Sequence, residues 1–263
     1  MGGRSAGGTR AVNAGRSPDP GELAAALERG DHEAVLRLTS SVLGERPGDD
    51  AAHEYRARAL LALGRTEEAE RHAADAVRLD PDEIRYRELL AQVLSRAGAH
   101  REAAGEFGRL ARNDPRQADW IVSEARERID AAQASMGAEA ARRAVRLDPD
   151  NGRAHLALAQ ALTRNGDARG AMQAAARATG LMPEDPSARE ALGDALWLSD
   201  RDPQAFEEFR GLARSMTGAD RDRVIGKAQA LYRQHAGLIG RALAGIRPIF
   251  GPAFRRGWLR IGS

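Results

Sequence analysis

The chain has 263 residues, 42% of them apolar but only 4% aromatic, and alanine and leucine dominate the apolar share. It has no cysteine, which excludes disulfides, thiolate metal sites, iron–sulfur clusters and cysteine nucleophiles. The formal charge of +2 hides a segregation: residues 1–18 carry +3 and residues 223–263 carry +8, so the body between them carries −9.

Small apolar side chains with few aromatic or β-branched ones favour close-packed helices over sheets. Lys227 is the single lysine among many arginines, as a GC-rich bacterial genome would encode. Arginine content by itself therefore does not point to nucleic acid, and none is expected as a partner. Residues 1–17 are rich in Gly, Ser and Arg without an apolar period and read as a disordered basic segment. They lack the apolar stretch of a secretory signal, and Ala6 stands where a myristoylation pattern needs Ser or Thr. The expected address is cytoplasmic. Asp19-Pro20-Gly21-Glu22 then suits a helix start, with Asp19 as cap.

From residue 18 to 219 the sequence repeats with a period of 34. Pro47, Pro81, Pro115, Pro149 and Pro183 stand on one arithmetic series, which fades at Thr217. Gly30, Gly64, Gly98 and Gly166 recur in phase before them, as do Ala69, Ala103, Ala171 and Ala205, Phe107 with Phe209, and Ala76 with Ala144 and Ala178. The units are 16–49, 50–83, 84–117, 118–151, 152–185 and 186–219. Those at 16–49, 118–151 and 186–219 are weaker, and in the last two Ala132 and Asp200 replace the turn glycine.

Each unit reads as two helices joined by a tight turn that the glycine permits. Leu90, Leu94 and Ala97 form the predicted apolar stripe of one helix, and Ala103, Phe107 and Leu110 that of the next. Asp-Pro at 80–81, 114–115 and 148–149 suits the first two positions of a type I turn leading into the following unit. One hairpin cannot cover its apolar face, whereas a stack buries a continuous core.

This pattern of small, aromatic and proline positions resembles the tetratricopeptide repeat, over about three quarters of the chain. The resemblance implies an all-α fold: a right-handed α-solenoid of about six helix pairs with a C-terminal capping helix. It also implies that the first helices of successive repeats line a concave groove for a partner protein or peptide. By phase the groove positions are Glu54, Arg58 and Leu61; Arg85, Glu88, Gln92 and Arg96; Val122, Arg126 and Ile129; Arg153, Leu156, Gln160 and Arg164; and Glu190, Asp194 and Trp197. Arg96, Arg126 and Arg164 suit bidentate grip of carboxylates, unless they are spent on Glu88 or Asp130. The co-chaperone branch of the family clamps a terminal carboxylate with asparagines. Arg58 and Gln92 stand at such positions here, which argues against chaperone-tail binding.

Val224, Ala228, Leu231, Leu238, Ala242 and Ile246 follow helical spacing and predict an amphipathic capping helix over 220–246. In the basic, aromatic tail over 247–263, Pro248 and Pro252 break the helix. Phe250, Phe254, Arg255, Arg256, Trp258 and Arg260 are its candidates for docking on a partner, on anionic lipid or back onto the acidic body.

Phosphate-loop, zinc-protease and serine-nucleophile motifs are absent. Asp148-Pro149-Asp150-Asn151-Gly152 has the wrong spacing for a calcium loop. His53 and His155 share a phase that packs between helices, three repeats apart and too far to share an ion. His32 and His100 share a surface phase. No catalytic residue, cofactor or metal is expected. The leading expectation is a non-catalytic scaffold or adaptor in the cytoplasm. The alternatives are a peripheral membrane assembly factor anchored by the C-terminus at the inner face of the membrane, and an accessory subunit of an enzyme complex. Oligomeric state is left open.

Overall fold

A computed structural model describes the backbone of residues 20–242 and the side chains of 21–234. The described residues form thirteen helices and no strand. They are α1 (Pro20–Glu28), α2 (His32–Glu45), α3 (Asp50–Ala62), α4 (Thr66–Leu79), α5 (Ile84–Arg96), α6 (His100–Asn113), α7 (Ala118–Asp130), α8 (Ala134–Leu147), α9 (Gly152–Arg164), α10 (Ala168–Leu181), α11 (Pro186–Leu198), α12 (Asp202–Ser215) and α13 (Gly218–Ala242). The fold is that of an α-solenoid of helix pairs. The chain divides between Ala131 and Ala132 into two compact units, so α1–α7 belong to the first and α8–α13 to the second.

The turns follow from local chemistry. Gly30, Gly64, Gly98 and Gly166 all have φ between +72° and +77°. At Gly64 the chain closes a helix C-terminus with Arg65 N–H donating to the Leu60 carbonyl and Gly64 N–H to that of Leu61. Ala132 and Asp200 hold the same left-handed conformation, at φ +59° and +56°, without glycine's freedom. Side chains cap the following helices: Asp31, Asp49, Asn151 and Asp167 each accept from a backbone N–H three residues on. In the Asp-Pro turns, Asp80, Asp114 and Asp148 accept from the N–H two residues later.

In the first unit, consecutive helices from α2 to α5 pack as antiparallel neighbours, α6 packs on α7, and the first helices lie side by side, α1 on α3 and α3 on α5. Its core is lean: Ala57, Ala59, Ala69, Ala73 and Ala103 are fully buried beside Val35, Leu60, Val93 and Leu110. The α5 stripe differs from the one predicted. Tyr86, Leu89, Val93 and Leu94 are buried, Leu90 is only half-buried, and Ala97 is the exposed C-cap. The buried face lies one step round the helix, because Tyr86 fills the space between α3 and α5 and donates to Asp50 at 2.9 Å.

In the second unit, helices α8 to α13 pack consecutively, and α9 lies on α11. Aromatic side chains join the core here: Phe206, Phe209, Leu212, Val224, Ala228 and Leu231 form one cluster, which seats α13 on α12. Burying Val224 and Leu231 contributes roughly 1.5–3 kcal/mol each, so α13 is part of the fold. Leu238, Ala242 and Ile246 of the predicted apolar stripe lie outside the residues with described side chains.

Candidate functional site

The first helices offer a partner a polar face in each unit. In the first unit Arg58, Arg85, Gln92, Arg96 and Arg126 are exposed, and Leu61 and Glu88 are half-buried. Three predicted groove residues are not offered at all. Glu54 is 4% exposed and Val122 and Ile129 are buried, because the neighbouring helix covers their phase. Glu54 is a buried anchor: Arg58 meets it at 2.8 Å and Arg85 at 3.6 Å, so those two guanidiniums are already committed. Arg85 also stacks over the Tyr86 ring at 5.0 Å. Arg96 and Arg126 make no hydrogen bond or ion pair among the described residues, so neither is spent on Glu88 or Asp130.

In the second unit Arg153 and Arg164 are exposed, Leu156 and Gln160 half-buried, and Arg164 is already engaged. Glu190 is buried, which corrects its placement as a groove residue. Helix α13 takes the position of a further first helix beside α11, and its cations cover that face. Lys227 reaches Glu190 at 2.8 Å and Asp194 at 2.6 Å, and Arg223 also bonds Glu190. Burial alone would raise the Glu190 carboxyl, but Lys227 and Arg223 outweigh it and hold it below the usual range. Trp197 donates to Gln234 at 3.3 Å and meets Phe209 edge-on. An open pocket of about 350 Å³ remains, lined by Thr163, Asp194, Trp197, Leu198 and Asp200.

Family comparison accounts for this architecture. Tetratricopeptide repeat profiles match residues 26–93, 122–179 and 163–220, more than half of the chain. The chain belongs to the tetratricopeptide repeat family. No curated protein matches it in sequence. Among solved structures it is similar to a tetratricopeptide repeat protein from Parabacteroides merdae, at 15% identity and a TM-score of 0.69 over 86% of this chain and 92% of that one. It is also similar to MamA from Desulfovibrio magneticus RS-1, at 21% identity and 0.55 over 64% and 96%. A third is YrrB, described as a repeat protein with an unusual peptide-binding site, at 17% identity and 0.53 over 72% and 97%. These likenesses concern the fold. As a family, these repeats are protein-interaction scaffolds.

Within the repeats, one cross-link recurs between the two helices of a pair. Arg87 on α5 meets Glu106 on α6 at 2.9 Å, and Arg189 on α11 meets Glu208 on α12 at 3.2 Å, each nineteen residues on. The same phase in α3 and α4 brings His53 and His72 together, Nδ1 to Nδ1 at 2.9 Å. The sixth residue after the turn proline has a second task. His53, Arg87 and His155 reach the carbonyls of Pro47, Pro81 and Pro149 at 2.9–3.0 Å. Hence the packing expected of His53 and His155, both under 9% exposed, follows from satisfying a turn carbonyl. His100, expected at the surface, is instead half-buried and bonds Glu127 at 2.8 Å beside Ser95. Sequence reasoning missed His72, although the repeated nineteen-residue spacing was a readable signal.

The tail candidates Phe250, Phe254, Arg255, Arg256, Trp258 and Arg260 lie outside the described residues. No helix among the described residues is long and apolar enough to cross a membrane.

Proposed function

We propose that the chain is a non-catalytic scaffold that binds an extended, carboxylate-rich segment of a partner protein on the first-helix face of its first unit. The observation that carries this is the pair of exposed, uncommitted guanidiniums Arg96 and Arg126, on α5 and α7, with Gln92 one turn before Arg96 on α5 as a neutral hydrogen-bonding group. Arginine presents a planar donor fork that fits a carboxylate through two bonds. The other cations of this face, Arg58 and Arg85, are paired with the carboxylates of Glu54 and Glu83, so acidic side chains have two defined places to land. Family membership supports a binding role of this kind, and the described peptide site of YrrB is an instance of one on the same fold.

Fluorescence anisotropy with a labelled oligoglutamate peptide tests the reading. Saturable binding is expected, weakening with salt and falling about tenfold in Arg126→Glu, equivalent to about 1.4 kcal/mol. Affinity unchanged by charge reversal at both Arg96 and Arg126 would refute it. The tail and any lipid contact carry no part of this reading.

A further inference from the structure

The hairpin of α3 and α4 differs from the others in a way that points to a ligand. Where α5–α6 and α11–α12 are tied by an Arg–Glu ion pair, this one presents two imidazoles and a carboxylate with ligand atoms turned towards one another. We propose that His53, His72 and Asp75 form a binding site for a divalent transition-metal ion of the zinc, nickel and copper class, which ties α3 to α4.

The spacing suits such an ion. One donor atom from each residue falls within a sphere of mutual distances below 4.8 Å. His53 Nδ1 lies 2.9 Å from His72 Nδ1 and 3.8 Å from Asp75 Oδ2. A tetrahedral ion about 2.0–2.1 Å from each donor wants its ligands about 3.3 Å apart. The histidines must therefore open by a few tenths of an ångström, and the carboxylate, which lies up to 4.8 Å from the other donors, must close by about 0.5–1.5 Å, a movement within reach of a rotating aspartate side chain. Asp75 is 38% exposed on its side chain and free to make that move, and its exposure supplies the entry path. Its other oxygen is steadied by Arg78 at 3.0 Å.

Hydrogen bonding sets the tautomers. The Pro47 carbonyl can only accept, so His53 carries its proton on Nε2 and directs the Nδ1 lone pair at the site, the arrangement found behind metal-ligating histidines. Burial at 7% exposure holds that ring in place. His72 accepts from Arg56 Nε at 3.1 Å, so without an ion its proton sits on Nδ1 and bridges to His53. On binding, the ion takes the place of that bridging proton and the His72 proton moves to Nε2. The ring stays neutral and no proton is released overall. Arg56 Nε must then swing away, while its Nη1 remains anchored on Leu36, Thr39 and Ser40.

The nearby guanidinium weakens the site, which sets the expected affinity in the micromolar range and not that of a zinc finger. Two imidazole nitrogens select against magnesium and calcium.

The test uses the full, untagged chain freed of metal with EDTA. Zinc chloride is titrated by calorimetry, and cobalt(II) serves as an absorbing probe of nitrogen ligation. We expect one zinc per chain at micromolar affinity, and a melting temperature that rises with zinc but not with magnesium. Asp75→Asn, at a half-exposed position that leaves folding intact, should weaken binding at least tenfold. His72→Asn should abolish it, and His155→Gln should leave it unchanged. Failure to bind at about 100-fold above a micromolar dissociation constant would overturn the proposal, as would full binding retained in both His72→Asn and Asp75→Asn. Either result would leave the proposed peptide face untouched, since Arg96 and Arg126 lie on other helices.

Discussion

Replacing Gly193 by alanine sets two effects of opposite sign against each other, and the geometry decides between them. Alanine is the better helix former by about 1 kcal/mol inside a helix, and Gly193 lies within α11. A Cβ built there, however, would stand 2.5 Å from Phe209 Cε1, 2.9 Å from Cδ1 and 3.0 Å from Cζ. Carbon atoms in contact prefer about 3.5–4.0 Å, so the ring must retreat by roughly an ångström. It has nowhere to go: Phe209 is fully buried, Trp197 abuts it at 6.5 Å between centroids, and the Lys227 ammonium lies 5.6 Å from its centre. Overpacking of this kind costs about 1–3 kcal/mol, and less the helix-forming gain the net loss is up to about 2 kcal/mol. At this chain length that lowers the melting temperature by up to about 8 °C.

Gly105, inside α6, is the control. Its Cβ would meet nothing within 4 Å, so only the helix-forming gain applies and melting should rise by about 2–4 °C. Gly152→Ala falls between, because the atoms in its way belong mainly to the flexible Met182 side chain. Melts followed by far-UV circular dichroism distinguish the three. If Gly193→Ala proves as stable as Gly105→Ala, the packing of α11 on α12 is not as described.

The left-handed residues offer a test in the opposite direction. Ala132→Gly, at φ +59°, should relieve strain of about 1–2 kcal/mol, of which the greater unfolded-state freedom of glycine takes back about half, so the melt should rise; a fall would show that the side chain has a role there. Ala103→Arg places a cation at a fully buried position between α5 and α6 and should cost several kcal/mol (about 3–5), lowering the melt or the soluble yield; an unchanged melt would refute the repeat phase. Burial, and then its bond to Asp50, push the Tyr86 phenol up to about 12. A group raised above its unfolded value of about 10 lends stability that is complete below pH 10 and is lost as pH rises towards 12. In urea titrations the advantage of wild type over Tyr86→Phe should be constant below pH 10 and shrink above it; a constant difference throughout would contradict the burial of that hydroxyl.

The repeat architecture was legible because its signals are local. Pro47, Pro81, Pro115, Pro149 and Pro183 mark turns. Gly30, Gly64, Gly98 and Gly166 mark the one backbone state that other residues adopt at a cost. The small residues Ala69, Ala103, Ala171 and Ala205 mark places where helices approach closely, and all four are fully buried. The candidate site was legible only in part. Arg58, Arg85, Gln92, Arg96 and Arg126 are exposed where the phase put them, but Glu54, Val122 and Glu190, which share one repeat phase with the half-buried Glu88, are buried. Periodicity shows which way a side chain points, and it does not show how far the next helix reaches over it.

What the sequence determined by itself, then, is the spacing of helix pairs, the turns between them and the small residues at their crossings, since each depends on a few neighbouring residues. Only the tertiary structure decided which charges stand free and which are consumed. Glu54 captures Arg85, α13 places Lys227 on Glu190 and Asp194, and His53 meets His72. Those encounters join residues on different helices. They are set by the angle and distance at which two helices cross, and the pattern along a single helix does not specify either.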